Sequence, residues 1–145
     1  MHDRVIVLVE DNANDEELTL RAFRKSSISN RVVVVRDGAE ALDYFFCRGS
    51  YANRSTQEIV QVVLLDLKLP KIDGLDVLRA LRADDRTKLI PIVILTSSAE
   101  DQDLVRGYGL GANSYVRKPV DFTQFVEAVR QLGLYWLVIN QAAPA

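Results

Sequence analysis

Several apolar stretches of this sequence end in polar residues of the types that handle a phosphoryl group on a carboxylate. If these stretches are parallel strands of one sheet, the polar residues meet at one edge, because ligands of such sheets bind outside the carboxyl ends of the strands. We therefore expect the polar residues to form one site. They are Glu10, Asp11, Asp66, Thr96 and Lys118.

The chemistry of these residues indicates an aspartyl phosphate site. Carboxylates gathered in one crevice repel each other unless a cation compensates them. Glu10, Asp11 and Asp66 offer only oxygen ligands, and this donor set favours Mg²⁺ over Ca²⁺ or a transition metal. A carboxylate beside Mg²⁺ can act as a nucleophile toward phosphorus. Lys118 would add a positive charge, and Thr96 a hydroxyl, for the remaining phosphoryl oxygens.

The elements that must position these residues follow an α/β pattern. Continuous apolar runs, typical of strands buried on both faces, alternate with apolar residues at helical spacing. This alternation predicts a single doubly wound (βα)5 domain with a parallel sheet, and the flavodoxin-like strand order 2-1-3-4-5 would let Asp11 and Asp66 share one cation. The predicted strands cover residues 5–9, 32–35, 61–65, 92–95 and 114–116.

Length and composition exclude several classes of protein. The 145 residues fit one domain, and 18 Lys and Arg against 20 Asp and Glu show no basic stripe for nucleic acid. No apolar run approaches the roughly 20 residues of a membrane span, and no signal peptide begins the chain, so we expect it in the cytoplasm. His2, at a loose terminus, and Cys47, expected within a helix, are not predicted ligands.

Four segments together resemble the receiver domains of two-component response regulators. They read LVEDN, LLDLKLPKIDG, ILTSSA and SYVRKP, and the resemblance covers nearly the whole chain. It implies that Asp66 is the phosphoacceptor and that Lys118 contacts the phosphoryl group. It also implies that Mg²⁺ is held by Glu10, Asp11, Asp66 and the main-chain carbonyl of Lys68.

The resemblance assigns a switch as well. Thr96 is the switch hydroxyl and Tyr115 the switch aromatic, although packing alone would also explain Tyr115. In the family, phosphorylation draws these two residues inward and remodels the surface of the fourth helix, fifth strand and fifth helix. The bond between Lys118 and Pro119 resembles the family's cis peptide.

The resemblance implies a stand-alone response regulator of a phosphorelay, with a sensor histidine kinase or phosphotransfer protein as its donor. The chain ends soon after its fifth helix, so we expect its output to pass through another protein. The long polar loop ending near Glu58 and the pair Tyr135 and Trp136 are similar to regulators paired with bacterial phytochromes.

The end of the chain suggests a homodimer. The core is predicted at about 4–132, where the stripe of the last helix is complete, with a helical extension at about 133–140. An exposed apolar run in this extension, with the face of the fourth helix, fifth strand and fifth helix, would be a dimer contact. Alternatively, the region of Trp136 is a satellite of the core.

Three other functions compete with a phosphorelay. A phosphohydrolase with Asp66 as nucleophile commonly needs a second carboxylate two residues on, where this chain has Lys68. A flavodoxin-like cofactor carrier needs a phosphate-binding loop after the first strand, where Glu10 and Asp11 would repel phosphate. A degenerate receiver that only docks would lack some of the expected residues. We therefore expect a phosphoacceptor rather than an enzyme.

Overall fold

A computed structural model describes residues 4–54, 58–98, 100–118, 121–141 and 143 of the chain. No helix in these ranges is long and apolar enough to cross a bilayer. Strands and helices alternate, with a short 3₁₀ helix after the second α-helix and a π-helical segment after the fifth. The bounds are β1 Arg4–Val9, α1 Ala13–Lys25, β2 Arg31–Val35, α2 Gly38–Phe45, 3₁₀ Gly49–Tyr51, β3 Ile59–Leu65, α3 Gly74–Ala83, β4 Ile92–Thr96, α4 Asp101–Gly109, β5 Ser114–Arg117, α5 Phe122–Gly133 and π Leu134–Ile139.

The strands form one parallel sheet in the order β2-β1-β3-β4-β5, which confirms the predicted fold. Hydrogen bonds between strands continue one residue past the ends of β1 and β3. The amide of Glu10 donates to the carbonyl of Val35 at 3.0 Å, and the amide of Asp66 donates to the carbonyl of Val9 at 3.1 Å. Both carboxylates therefore start from backbone that the sheet fixes.

Alternation along the strands divides the core into two layers. In β1, Val5, Val7 and Val9 pack with α2 and α3, whereas Ile6 and Leu8 pack with α1 and α5. None of these side chains is more than 2% exposed. Burial on both faces explains why β1 reads as a continuous apolar run.

Helix α1 begins immediately after the predicted site. Asn12 is the N-cap, and its side chain accepts a hydrogen bond of 3.0 Å from the amide of Asp15. Asp11 is therefore not the cap, and its carboxylate is available to the site. Asp15 consequently lies in the first turn of α1, facing the carboxyl ends of the strands.

The prediction that Cys47 lies within a helix is wrong. Helix α2 ends at Phe45, and Cys47 has a left-handed backbone with φ of 53°. The helix stops because the chain turns back there. Arg54 from the following loop donates a hydrogen bond of 2.8 Å to the carbonyl of Tyr44 in the last turn of α2.

Of the two possibilities left open for the region of Trp136, the structure favours the one in which it packs with the core. Trp136 is only 7% exposed and packs in the layer of α1 and α5. A β-bulge leaves Gln61 without a partner in the register of β1 and β3, and its side-chain amide donates to the carbonyl of Trp136 at 3.1 Å. The π-helical segment is thus partly core, although Leu134 and Tyr135 are about half exposed.

Candidate functional site

Three carboxylates meet at the carboxyl ends of β1 and β3. Glu10, Asp11 and Asp66 each offer an oxygen within 4.8 Å of the other two. Glu10 and Asp66 are buried, whereas Asp11 is exposed. An all-oxygen donor set of this size, open to solvent on one side, fits a hard divalent cation that keeps some of its water ligands.

Lys118 lies against this cluster. Its ammonium group donates to Glu10 Oε1 at 2.5 Å, to Asp15 Oδ2 at 2.9 Å and to Asp66 Oδ2 at 3.1 Å. These contacts use all three protons of the ammonium group, and the side chain is only 8% exposed. Lys118 thus compensates the charge of the two buried carboxylates.

Sequence reasoning missed Asp15. An acidic residue in the first turn of a helix is common, because the helix dipole stabilises a negative charge there. The sequence therefore gave no reason to connect Asp15 with Lys118. The only available signal was its position four residues after Asp11, in the first turn of the helix that follows β1.

The site holds its groups in different protonation states. Burial, reinforced by the charge of Asp66, raises the pKa of Glu10 to about 7 against the influence of Lys118. Burial alone would raise the pKa of Asp66 too, but the charge of Lys118 and hydrogen bonds with Glu10, Thr96 and Lys118 lower it below its usual value. Burial opposes the charge of Lys118, yet bonds to Glu10 and Asp15 raise its pKa. Asp66 is therefore ionised at neutral pH.

The raised pKa of Glu10 predicts pH-dependent metal binding. Below its pKa of about 7, Glu10 carries a proton that a metal ion must displace. We expect Mg²⁺ to bind about tenfold more weakly at pH 6 than at pH 8, as measured by calorimetric titration. Glu10→Gln should bind Mg²⁺ weakly, with the same affinity at both pH values. Equal affinity of the natural chain at both pH values would contradict the prediction.

A chain of hydrogen bonds leads from Asp66 to α4 and β5. Thr96 Oγ1 donates to Asp66 Oδ1 at 2.9 Å and accepts from the amide of Ser98 at 3.3 Å. The carbonyl of Ser98 accepts a hydrogen bond from the hydroxyl of Tyr115 at 3.1 Å. The hydroxyl of Ser98 donates to Asp103 Oδ2 at 2.6 Å. Tyr115 therefore lies outside the acidic cluster but is connected to it. The sequence analysis missed Ser98 and Asp103.

The segment after β3 folds back over Asp66. The amide of Lys68 donates to Asp66 Oδ1 at 3.4 Å, and its side chain is exposed. The role of the Lys68 carbonyl as a metal ligand stays a prediction. The predicted cis bond before Pro119 lies outside the described residues.

Comparison with known proteins places these residues in a family. A model of the response regulator receiver domain matches residues 6–130, a range that includes all four segments of the resemblance. The response regulator Rcp1 of Synechocystis sp. is 33% identical over 92% of this chain and 89% of Rcp1. The crystal structure of its Mn²⁺-bound form has a TM-score of 0.88, covering 97% of this chain and 99% of that one.

Two further solved structures are similar over their full length. The phosphorylated cyanobacterial phytochrome response regulator RcpA is 37% identical, with a TM-score of 0.90, and the match covers 99% of this chain and 100% of RcpA. The bacteriophytochrome response regulator AtBRR is 54% identical, with a TM-score of 0.77, and the match covers 97% of this chain and 100% of AtBRR.

Proposed function

Because the chain belongs to the response regulator receiver domain family, we propose that it is a phosphorelay response regulator that accepts a phosphoryl group on Asp66. The observation that carries this proposal is the setting of Asp66. Its buried carboxylate is ionised, belongs to a carboxylate cluster that could hold a divalent cation, and contacts both Lys118 and Thr96. The two oxygens of this nucleophile thus contact a positive charge and a hydroxyl donor.

The chemistry of phosphoryl transfer follows from these contacts. An oxygen of Asp66 forms a bond to phosphorus while the bond from phosphorus to a histidine nitrogen of the kinase breaks. The residues that would hold Mg²⁺ are Glu10, Asp11, Asp66 and the main-chain carbonyl of Lys68, and the ion would supply positive charge to the phosphoryl oxygens. Lys118 supplies a second positive charge, since its ammonium group already lies 3.1 Å from Asp66 Oδ2.

The hydrogen bonds of Thr96 support a switch at the same site. A phosphoryl group on Asp66 offers new acceptors, and Thr96 turns its hydroxyl from the carboxylate to one of them. That movement alters the hydrogen bond between Thr96 and Ser98. Ser98 in turn forms hydrogen bonds with Tyr115 and Asp103. The outcome is a shift of α4 relative to β5, on the surface that a partner protein would read.

The exposed apolar residues of α4 suit such an output surface. Leu104, Val105 and Tyr108 are 38%, 70% and 50% exposed. A partner protein that binds the phosphorylated chain would cover them. Homodimerisation through α4, β5, α5 and the π-helical segment stays a prediction, which sedimentation of the chain with and without a phosphodonor would test.

The relatives support a specific input. RcpA is a phytochrome response regulator and AtBRR a bacteriophytochrome response regulator, and both match this chain over almost their full length. We propose a cytoplasmic histidine kinase with a phytochrome-type sensor as the donor. Phosphotransfer profiling against the histidine kinases of the source organism should show the fastest transfer from such a kinase. Faster transfer from kinases with other sensors would contradict this input.

We propose that the chain is a phosphoacceptor and not a phosphohydrolase. The second carboxylate that such enzymes commonly place two residues after the nucleophile is replaced by Lys68, whose side chain is exposed. A docking module without phosphorylation would not need the buried charges of Glu10, Asp66 and Lys118, which are costly to desolvate.

Incubation with Mg²⁺ and acetyl phosphate tests the proposal. We expect one acid-stable, base-labile phosphoryl group per chain, because only Asp66 has the contacts described above among the described residues. Asp66→Asn should form no such group, whereas Asp76→Asn, at an exposed position of α3, should react like the natural chain. Continuous release of many phosphates per chain would indicate a phosphohydrolase, and the absence of an adduct would indicate a docking module.

A further inference from the structure

We infer that Asp15 is a positioning residue that holds the ammonium group of Lys118 when a metal ion takes the other two carboxylates. This inference rests on the proposed function, because it concerns the same site. Lys118 has three carboxylate partners, and two of them, Glu10 and Asp66, belong to the cluster that fits a cation. Asp15 is the partner outside that cluster.

Two hydrogen bonds fix the main chain of Asp15 at the start of α1. Its amide donates to the side chain of Asn12 at 3.0 Å, and its carbonyl accepts from the buried hydroxyl of Thr19 at 2.8 Å. Neither bond involves the carboxylate, so its oxygens are available as acceptors for Lys118. At 35% exposure it keeps part of its hydration, which limits the cost of holding a charge there.

The contact between Asp15 and Lys118 matters because the ammonium group and a divalent cation compete for the same carboxylates. The ammonium group of Lys118 and a divalent cation both need oxygens of Glu10 and Asp66, and like charges so close repel each other. An attraction toward α1 draws the ammonium group to the edge of the cluster. Asp15 thereby lowers the free energy of the state in which the cation and Lys118 are both bound.

Removal of the Asp15 charge should therefore weaken metal binding through Lys118. Asp15→Asn keeps the size of the side chain and both backbone bonds. We expect its Mg²⁺ affinity, measured by calorimetric titration at pH 8, to fall about three- to tenfold. The matched control is Glu17→Gln, which removes one charge from an exposed side chain of α1 that pairs with Arg24.

A double-mutant cycle separates this effect from simple loss of negative charge. In a Lys118→Gln background there is no ammonium group to hold, so Asp15→Asn should change the affinity no more than Glu17→Gln does. Gln retains a donor for the two buried carboxylates. Lys118→Asn, which also retains an amide donor, replaces it in the cycle if circular dichroism shows that Lys118→Gln is unfolded.

Each result decides between the possibilities. A loss in the natural background that disappears without Lys118 supports the inference. An equal loss in both backgrounds shows that Asp15 acts only as a distant negative charge, and a loss no larger than that of Glu17→Gln removes its role entirely. A natural chain that binds no Mg²⁺ and forms no adduct contradicts the proposed function itself, and the inference with it.

Discussion

Lys118→Met is expected to reduce the rate of phosphorylation by acetyl phosphate at least about 100-fold at saturating Mg²⁺. The ammonium group lies 3.1 Å from Asp66 Oδ2, and both side chains are buried. Its charge therefore lies beside the nucleophile before the phosphoryl group arrives. Methionine preserves the length of the side chain and removes this charge. The measurement is the initial rate of adduct formation.

The control for this variant is Lys88→Met, which removes an exposed lysine of the loop between α3 and β4. It should react like the natural chain. Lys118→Met also leaves Glu10 and Asp66 without their countercharge, so its fold is checked first by urea unfolding. A folded Lys118→Met chain that reacts within tenfold of the natural rate would show that Lys118 has no part in the transfer.

Gly74→Ala is expected to lower the free energy of unfolding by about 3 kcal/mol or more. Gly74 begins α3 and packs directly on the backbone of Asp66 and Leu67, where its amide donates to the carbonyl of Leu67 at 3.0 Å. A Cβ atom at this position would lie 2.3 Å from the carbonyl oxygen of Asp66. Because backbone cannot rotate away as a side chain can, either α3 or the strand end must move.

Gly109→Ala is the matched control, because a Cβ atom there would meet nothing within 4 Å. Gly109 is the last residue of α4, so alanine should leave the stability unchanged or raise it slightly. Urea unfolding of the two variants gives the comparison. Similar stabilities for Gly74→Ala and Gly109→Ala would show that the contact between α3 and Asp66 is looser than the structure indicates.

The sheet and the meeting of the acidic residues were predictable from the sequence. Both rest on strong signals, namely continuous apolar runs such as β1 and the rule that parallel strands present their carboxyl ends at one edge. Glu10 and Asp66 follow β1 and β3 directly, and these strands are neighbours in the sheet. Their proximity therefore needed no knowledge of side-chain packing.

Helix α4 was harder to predict. Its apolar residues Leu104 and Tyr108 are exposed, and its buried face consists of Asp103 and Gly107. Asp103 is buried because it accepts a hydrogen bond from Ser98, and a Cβ atom at Gly107 would lie 2.7 Å from Ile94 Cδ1. Hydrophobic periodicity does not reveal a face that is buried through a polar contact and a close approach.

Contacts between distant parts of the chain were equally hidden. Asp15 and Lys118 are 103 residues apart, and Gln61 and Trp136 are 75 apart. Each contact depends on the relative position of two elements rather than on a local pattern. Gln61 is a polar residue in an apolar strand, and the bulge explains why it has no partner in the register.

Borohydride reduction of the chain after reaction with Mg²⁺ and acetyl phosphate tests the central claim most directly. Borohydride converts an aspartyl phosphate to homoserine, so peptide mass spectrometry identifies the residue that carried the phosphoryl group. We predict homoserine at position 66 and at no other aspartate, since Asp66 is the ionised carboxylate in contact with Lys118 and Thr96. Conversion at another residue, or no conversion in the natural chain, would contradict the account.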